Sequence, residues 1–277
     1  MTVCIGALCE NRKAVVLVSD RMWTERSTLY YEFEPNESKI ERIHPKAAVA
    51  TSGGVVLPDK IIKSTKKYVY EKIEEVGSIE DVARVLSFYY GEERRRRIEE
   101  EYFRPRGLTI NEFYDEGKIT TLPPQLAQFL DDRVANYVFD LLMILGGVDS
   151  EGAHLYLIRD PRTYESVDKV GFVSIGTGDR HAELTLIQHD FRPTVNISEA
   201  VFLAYMAKKN AEHAPRVGRK TDIVIITGDE SGYFEIKDGD ELINYLDEMY
   251  STLEREIINR KTEIMKTIRD INEFLKR

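Results

Sequence analysis

The chain has 277 residues, of which 42% are hydrophobic and 31% are charged, and its net charge at pH 7 is -9. This length and composition fit a folded chain with a large core and exclude an intrinsically disordered protein. The acidic balance argues against general affinity for nucleic acid. The sequence shows neither a signal-peptide pattern nor an apolar run long enough to span a membrane, so we expect a cytoplasmic protein that does not insert into membranes.

The cysteines and histidines do not form a metal-binding pattern. Cys4 and Cys9 both lie in the first predicted strand, and their separation of five is not a CxxC spacing. The five histidines are scattered along the chain without the spacing of a metal site or a triad. We therefore expect two reduced thiols in the core, no metal and no cofactor.

The first half of the chain predicts four strands followed by two helices. Short β-branched apolar runs separated by polar turns are typical of strands. They fall at residues 2–9, 13–20, 38–45 and 47–54. From Pro58 the apolar residues recur at three- and four-residue steps, which indicates a helix that ends at Gly77. Ser78 and Asp81 have the spacing of a capping box, so a second helix is expected from Ile79.

A charged stretch at residues 91–124 interrupts this pattern. It begins GEERRRRIEEE and is broken by Pro105, Gly107 and the Pro123–Pro124 pair. We interpret it as an inserted helical arm that leaves the main body of the fold.

The second half again predicts strands followed by helices. Strands are expected at residues 141–149, 153–160, 167–179, 221–229 and 232–237, with a turn at Asp160–Pro161. Helices are expected from Gln125, at residues 181–190 and at residues 197–213. Runs of strands followed by runs of helices, in two matching halves, favour an α+β fold with four layers, αββα.

The last forty residues predict a separate element. Their apolar residues keep mostly three- and four-residue steps, which is typical of one long amphipathic helix with a seam for self-association or packing. We expect one domain over residues 1–237, with the arm inserted at about 91–124, and a C-terminal helical extension over residues 238–277.

Seven short motifs, in order along the chain, carry a resemblance to a known family. They are TVCIG (2–6), VVLVSDR (15–21), SKIERI (38–43), ATSGG (50–54), LGGVDSEGAHLYLI (145–158), SIGTGD (174–179) and TDIVIIT (221–227). Together they resemble the proteasome β-subunit family of N-terminal nucleophile (Ntn) hydrolases over residues 2–90 and 125–236. The MTVCIG start is most similar to the bacterial Anbu branch. The resemblance implies an Ntn-hydrolase sandwich.

The resemblance also implies roles for individual residues. Removal of Met1 would make Thr2 the first residue, with its hydroxyl as nucleophile and its α-amino group, of pKa near 8, as base. Lys39 would lie beside Thr2 and stabilise developing negative charge, and Asp20 would pair with Lys39. The backbone N–H of Gly53 would donate to the oxyanion.

Four further residues follow from the same resemblance. Thr177 falls at the position of a catalytic-site serine and could relay a proton at the terminal amine. Trp23, Thr24 and Thr51 would line the substrate cleft, and Thr24 would contact the substrate backbone.

One part of the family pattern is missing. An acidic residue and a serine expected before the last long strand fall near Ala214 and Val217, and neither side chain can do that chemistry. This departure leaves the orientation of the terminal amine open.

The implied function is that of a threonine-type endopeptidase, which cleaves peptides or unfolded proteins through an acyl-enzyme and assembles as a homo-oligomer. Three alternatives stay open. A connectase-like peptide ligase would pass the same acyl group to an amine, a scaffold protein of the same fold would be inactive, and an Ntn amidase would act on a small molecule.

Each residue also has an ordinary structural interpretation. Thr2 could be a plain strand residue, Gly53 a turn glycine, and Asp20 and Lys39 a surface salt bridge of little value.

Overall fold

The computed structural model describes residues 2–25, 31–54, 56–159 and 163–268. Its strands are β1 Val3–Cys9, β2 Ala14–Asp20, β3 Trp23–Glu25, β4 Tyr31–Phe33, β5 Ile40–His44, β6 Ala47–Gly53, β7 Leu141–Val148, β8 Ala153–Arg159, β9 Thr163–Ser166, β10 Phe172–Gly176, β11 Thr221–Thr227 and β12 Tyr233–Ile236. Its α-helices are α1 Val56–Glu71, α2 Ile79–Ile98, α3 Ile110–Tyr114, α4 Pro124–Ala135, α5 Asp179–Gln188, α6 Ile197–Ala211 and α7 Glu241–Thr267. Met1 and the predicted turn at Asp160–Pro161 lie outside the described residues.

Most strands belong to two sheets. The first sheet has the order β10-β1-β2-β11-β12, and the second has the order β5-β6-β7-β8-β9. The hairpin of β1 and β2 lies at the centre of the first sheet, where β10 and β11 flank it in antiparallel ladders. The short strands β3 and β4 form a separate two-stranded ribbon.

Hydrophobic burial stacks these elements into four layers. Leu17 of the first sheet packs with Ile144 and Leu155 of the second in a core between the two sheets. On the outer face of the second sheet, α1 and α2 pack through residues such as Leu86. Helices α5 and α6 pack against strands of the first sheet. Full burial of one such side chain contributes about 1.5–3 kcal/mol, so these contacts hold the layers together. The predicted αββα arrangement is confirmed.

Helix α2 begins at Ile79, as predicted, and extends into the charged stretch. The Ser78 side chain accepts a hydrogen bond from the Asp81 N–H, and the Asp81 carboxylate accepts one from the Ser78 N–H, so the capping box is present. The helix continues through Gly91 into the charged stretch and ends at Ile98. Ion pairs at helical spacing support the charged stretch, with Glu93 accepting from Arg96 and Arg97.

Beyond α2 the chain forms the arm, which we define as residues 99–135. A π-helical turn over Glu99–Phe103 continues directly from α2, and α3 and α4 follow. An apolar cluster joins Ile98 at the end of α2 to five residues of the arm, namely Phe103, Ile110, Phe113, Ala127 and Leu130. The arm is therefore a small helical packing unit and not a solvated loop.

The chain divides into two compact units, Met1–Glu235 and Ile236–Arg277. The second unit contains the single long helix α7. Several large apolar side chains of this helix are exposed, namely Ile257, Ile258, Ile264 and Met265. Among the described residues, no helix combines the length and the apolar character needed to cross a membrane.

Candidate active site

Three of the sequence-predicted site residues lie at strand ends. Thr2 immediately precedes β1, Asp20 ends β2 and Lys39 immediately precedes β5. The β1–β2 ladder pairs Cys4 with Ser19, so its antiparallel register brings the start of β1 beside the end of β2. Since β5 belongs to the second sheet, Lys39 approaches this pair from the other sheet of the sandwich.

The side chains of Thr2, Asp20 and Lys39 are in direct contact. The Thr2 hydroxyl donates to Asp20 Oδ1 and accepts from Lys39 Nζ. Lys39 Nζ also lies 2.8 Å from Asp20 Oδ1. The exposed fractions are 2% for Thr2, 0% for Asp20 and 3% for Lys39. We call this group the Thr2–Asp20–Lys39 cluster.

Backbone groups complete the hydrogen bonding of the carboxylate and the ammonium. Asp20 Oδ1 also accepts from the N–H of Val3 at 3.1 Å, and Oδ2 accepts from the N–H groups of Met22 at 3.2 Å and Gly218 at 2.7 Å. Lys39 Nζ also donates to the Met22 carbonyl. Buried charges are tolerated when they are paired and hydrogen-bonded in this way. The surface salt-bridge interpretation of Asp20 and Lys39 is therefore wrong.

The carbonyl of Thr2 is held from the turn after β10. It accepts from the N–H of Gly178 at 3.3 Å and from the Thr177 hydroxyl at 3.4 Å. Gly176 has a φ of +102°, and a Cβ at this position would lie 2.1 Å from the Thr2 carbonyl oxygen. Only glycine can therefore approach Thr2 in this conformation. Thr177 contacts the Thr2 carbonyl, and its predicted proton-relay role stays a prediction.

Strand β6 brings Thr51 and Gly53 to the same end of the sandwich. The Thr51 N–H donates to the Lys39 carbonyl at 3.1 Å, and the Thr51 carbonyl accepts from Cys4 Sγ at 3.3 Å. Gly53 lies two residues further along, with a φ of +145°, and a Cβ there would lie 2.3 Å from the Asp140 carbonyl oxygen. Thr51 is thus bonded to the segments that carry the cluster, whereas Gly53 packs against Asp140 before β7.

The three predicted cleft residues differ in how much of their surroundings the structure describes. Trp23 is half-buried, and Lys39 Nζ lies 5.5 Å from its ring centroid. Thr24 belongs to β3, where it pairs with Glu32 across the ribbon, but its side chain lies outside the described residues. Thr51 is only 5% exposed. The substrate-contacting roles of these residues stay predictions.

Cys4 is a thiol close to the cluster, but it is held in the neutral form. Burial raises the pKa of Cys4 to about 12, although the charge of Lys39 acts in the opposite direction. A neutral thiol is a poor nucleophile, so Cys4 does not compete with Thr2. Cys4 and Cys9 are both free and buried.

Sequence reasoning missed two contributors to the site. Met22 and Gly218 act through their backbone, and a backbone hydrogen bond leaves no mark in the residue type. Gly218 alone carried a signal, because it is a glycine just before the strand that pairs with Asp20. At the missing acid-and-serine positions, Ala214 and Val217 are buried.

Comparison with known proteins identifies the fold. No family model matches the sequence, and no curated protein matches it. The solved structure of an Anbu mutant from Hyphomicrobium sp. strain MC1 matches with a TM-score of 0.61 and 14% sequence identity, over 95% of this chain and 100% of that chain. The chain has the Anbu fold.

The Anbu fold confirms the predicted resemblance to proteasome-like Ntn hydrolases at the level of the backbone. At 14% identity, the likeness extends to the fold alone. The argument for chemistry in this chain therefore depends on its own residues and their contacts.

Proposed function

We propose that this chain is a threonine-type Ntn hydrolase that cleaves peptide amide bonds with Thr2 as its nucleophile. The observation that carries the proposal is the contact of one buried threonine hydroxyl with a carboxylate and an ammonium at once. A structural threonine in a strand does not require two buried charges beside its hydroxyl, whereas an activated hydroxyl does.

In the proposed mechanism, cleavage between Met1 and Thr2 frees the α-amino group of Thr2. This amine takes the hydroxyl proton as Oγ bonds to the substrate carbonyl carbon, and Lys39 stabilises the negative charge that develops. The proton then passes to the leaving amine as the C–N bond breaks, which leaves an ester on Oγ. Water adds to the ester carbon, the Oγ–C bond breaks, and the acid product leaves with the hydroxyl of Thr2 restored.

Gly53 supports the proposal as the oxyanion donor. The first residue of β5, Ile40, pairs with Ala50, so β5 has no residue opposite Gly53. The N–H groups of a strand alternate in direction, which places the Gly53 N–H on the same side of β6 as the N–H of Thr51. Regular alternation would direct the Gly53 N–H beyond the start of β5, which is the basis for proposing this group as the oxyanion donor.

The first test is the intact mass of purified protein before and after treatment with a β-lactone or epoxyketone probe. We expect loss of Met1 and one covalent adduct in the wild type, and loss of Met1 without an adduct in Thr2→Ala. Retention of Met1 with no adduct would refute the nucleophile and favour an inactive scaffold.

The fate of the acyl group is a second measurement. Peptides incubated with the protein in the presence of a free amine acceptor should yield hydrolysed products. A ligated product as the main species would replace hydrolysis with transpeptidation. The predicted homo-oligomer is part of the same proposal, and native mass spectrometry of the purified protein tests it.

A further inference from the structure

Lys208 is a buried lysine that the proposed mechanism does not use. It lies in α6, its side chain is 0% exposed, and its Nζ donates to Glu212 Oε1 at 2.6 Å and to the Arg219 carbonyl at 2.8 Å. Burial lowers its pKa from the ordinary value, while the charge of Glu212 acts in the opposite direction. A buried ammonium is tolerated only when it is paired and hydrogen-bonded, and Glu212 and the Arg219 carbonyl are the two partners of Lys208.

The group that Lys208 holds leads directly to Asp20. Arg219 directly follows Gly218, and the N–H of Gly218 donates to Asp20 Oδ2 at 2.7 Å. Within residues 218–220, the Arg219 carbonyl thus accepts a hydrogen bond from the Lys208 ammonium. The neighbouring Gly218 N–H donates one to the Asp20 carboxylate. A shift of the carbonyl would move the N–H with it, because the two bonds are made by adjacent residues.

The same segment is fixed from a third direction. The Glu34 carboxylate accepts from the N–H of Lys220 at 3.1 Å, and a Cβ on Gly218 would lie 2.0 Å from Glu34 Oε1. Residues 218–220 are therefore held by Lys208 through the Arg219 carbonyl and by Glu34 through the Lys220 N–H. Lys208 also lies close enough for its charge to interact with that of Asp20.

We propose that Lys208 is a positioning residue for the Thr2–Asp20–Lys39 cluster. It fixes residues 218–220 so that the Gly218 N–H remains directed at Asp20 Oδ2. Asp20 then keeps the orientation in which its other oxygen contacts the Thr2 hydroxyl. The kinetic consequence of this inference rests on the proposed function, whereas the structural consequence does not.

The test compares Lys208→Met with Lys209→Met. Methionine is similar in length to lysine and suits a buried site, and Lys209 is a matched control because it carries the same charge and lies 3.4 Å from the same Glu212 carboxylate. Amide exchange is followed by NMR in protein labelled with ¹⁵N-glycine, which restricts the spectrum to the 17 glycines of the chain. We expect the Gly218 amide to exchange at least about tenfold faster in Lys208→Met and at the wild-type rate in Lys209→Met.

The kinetic arm uses the rate of Thr2 modification by the β-lactone probe. Lys208→Met should lower the maximal inactivation rate by about tenfold and leave the probe concentration for half-maximal rate unchanged, since Lys208 does not touch the probe. Lys208→Arg should restore part of the rate, because it keeps a charged donor in the same place.

The outcomes separate the two proposals. Wild-type exchange of Gly218 in a folded Lys208→Met protein would overturn the positioning role, whatever the probe does. A wild-type protein that does not react with the probe would refute the proposed function, and the exchange comparison would still decide the role of Lys208. Should Lys208→Met not fold, Lys208→Leu takes its place, because it also removes the donor to the Arg219 carbonyl, and an unchanged Gly218 exchange rate in that variant overturns the inference.

Discussion

The Thr2–Asp20–Lys39 cluster and the arm are both rich in charged side chains, but they use charge in opposite ways. In the cluster, the Lys39 and Asp20 side chains are 2% and 0% exposed, and each polar group is bonded to another. In the arm, pairs such as Lys118 with Glu112 lie at the surface, where water competes with them. Stability in the cluster therefore depends on every partner, whereas stability in the arm depends on its apolar contacts.

The largest effect is expected from breaking the buried pair. Lys39→Met leaves the Asp20 carboxylate buried without its ammonium, and we expect a loss of about 3–5 kcal/mol in the free energy of unfolding together with loss of Thr2 modification. Urea denaturation and the β-lactone probe measure the two effects. Lys63→Met is the control, since the Lys63 side chain is 76% exposed and its loss should leave the stability unchanged within experimental error.

A double variant sharpens this prediction. Asp20→Asn combined with Lys39→Met removes both charges, so it should be more stable than Lys39→Met alone. Equal or lower stability of the double variant would contradict the view that the unpaired carboxylate causes the loss.

The arm should respond to the loss of an apolar side chain. Phe113 is fully buried in the arm cluster, and Phe113→Ala should cost about 3–5 kcal/mol of local stability. Hydrogen exchange should then accelerate over residues 99–135 and stay unchanged in β1 and β2, with the rate of Thr2 modification also unchanged. Val138→Ala, at a position 80% exposed, is the control. Faster exchange in β1 would show that the arm and the cluster are not independent.

A smaller effect is expected where backbone geometry holds Thr2. Gly176→Ala places a Cβ against the Thr2 carbonyl at a positive φ, so we expect a loss of about 1–3 kcal/mol and slower probe modification. Gly77→Ala is the matched control, because a Cβ there would meet nothing within 4 Å. Thermal denaturation compares the two variants, and similar melting temperatures would show that Thr2 can shift without cost.

The smallest effect is expected from Glu93, a buried carboxylate with two partly exposed arginine partners, and it depends on pH. Burial alone raises the pKa of Glu93, but the hydrogen bonds from Arg96 and Arg97 outweigh burial and hold this pKa below its ordinary value of 4.5. A carboxyl with a lowered pKa stabilises the fold above pH 4.5 and loses this contribution as the pH falls through its folded-state value. Glu93→Gln should therefore cost about 0.5–1 kcal/mol at pH 7 and nothing in strong acid, as measured by urea denaturation. A pH-independent difference would assign the loss to packing.

The sequence predicted the layers, and its resemblance to the proteasome β-subunit family brought Thr2, Asp20 and Lys39 into one hypothesis. It did not reveal the β3–β4 ribbon, since strands of three residues are too short to show a period. The end of α2 was not predicted, and the ion pairs that follow Gly91 compensate for one glycine inside the helix.

Long-range contacts set the limit of sequence reasoning at the site. Lys208 stands beside Lys209 in a run that is typical of a solvated helix face, and only the packing of α6 shows that one of the two is buried. The hydrogen bond from Gly218 to Asp20 joins residues 198 positions apart. Such a contact depends on the three-dimensional fold and cannot be deduced from local residue patterns.

Because the arm continues directly from α2, the direction in which the arm leaves the fold depends on the number of residues in that helix. One turn of an α-helix contains 3.6 residues, so an insertion or deletion of one residue between Gly91 and Ile98 would rotate everything beyond it by about 100° and shift it by about 1.5 Å. A change in the length of α2 alone would therefore turn the arm towards a different side of the molecule. The sequences of the sheets and of the Thr2–Asp20–Lys39 cluster would not need to change. Relatives that differ by one residue in this helix would present the same arm to different neighbours.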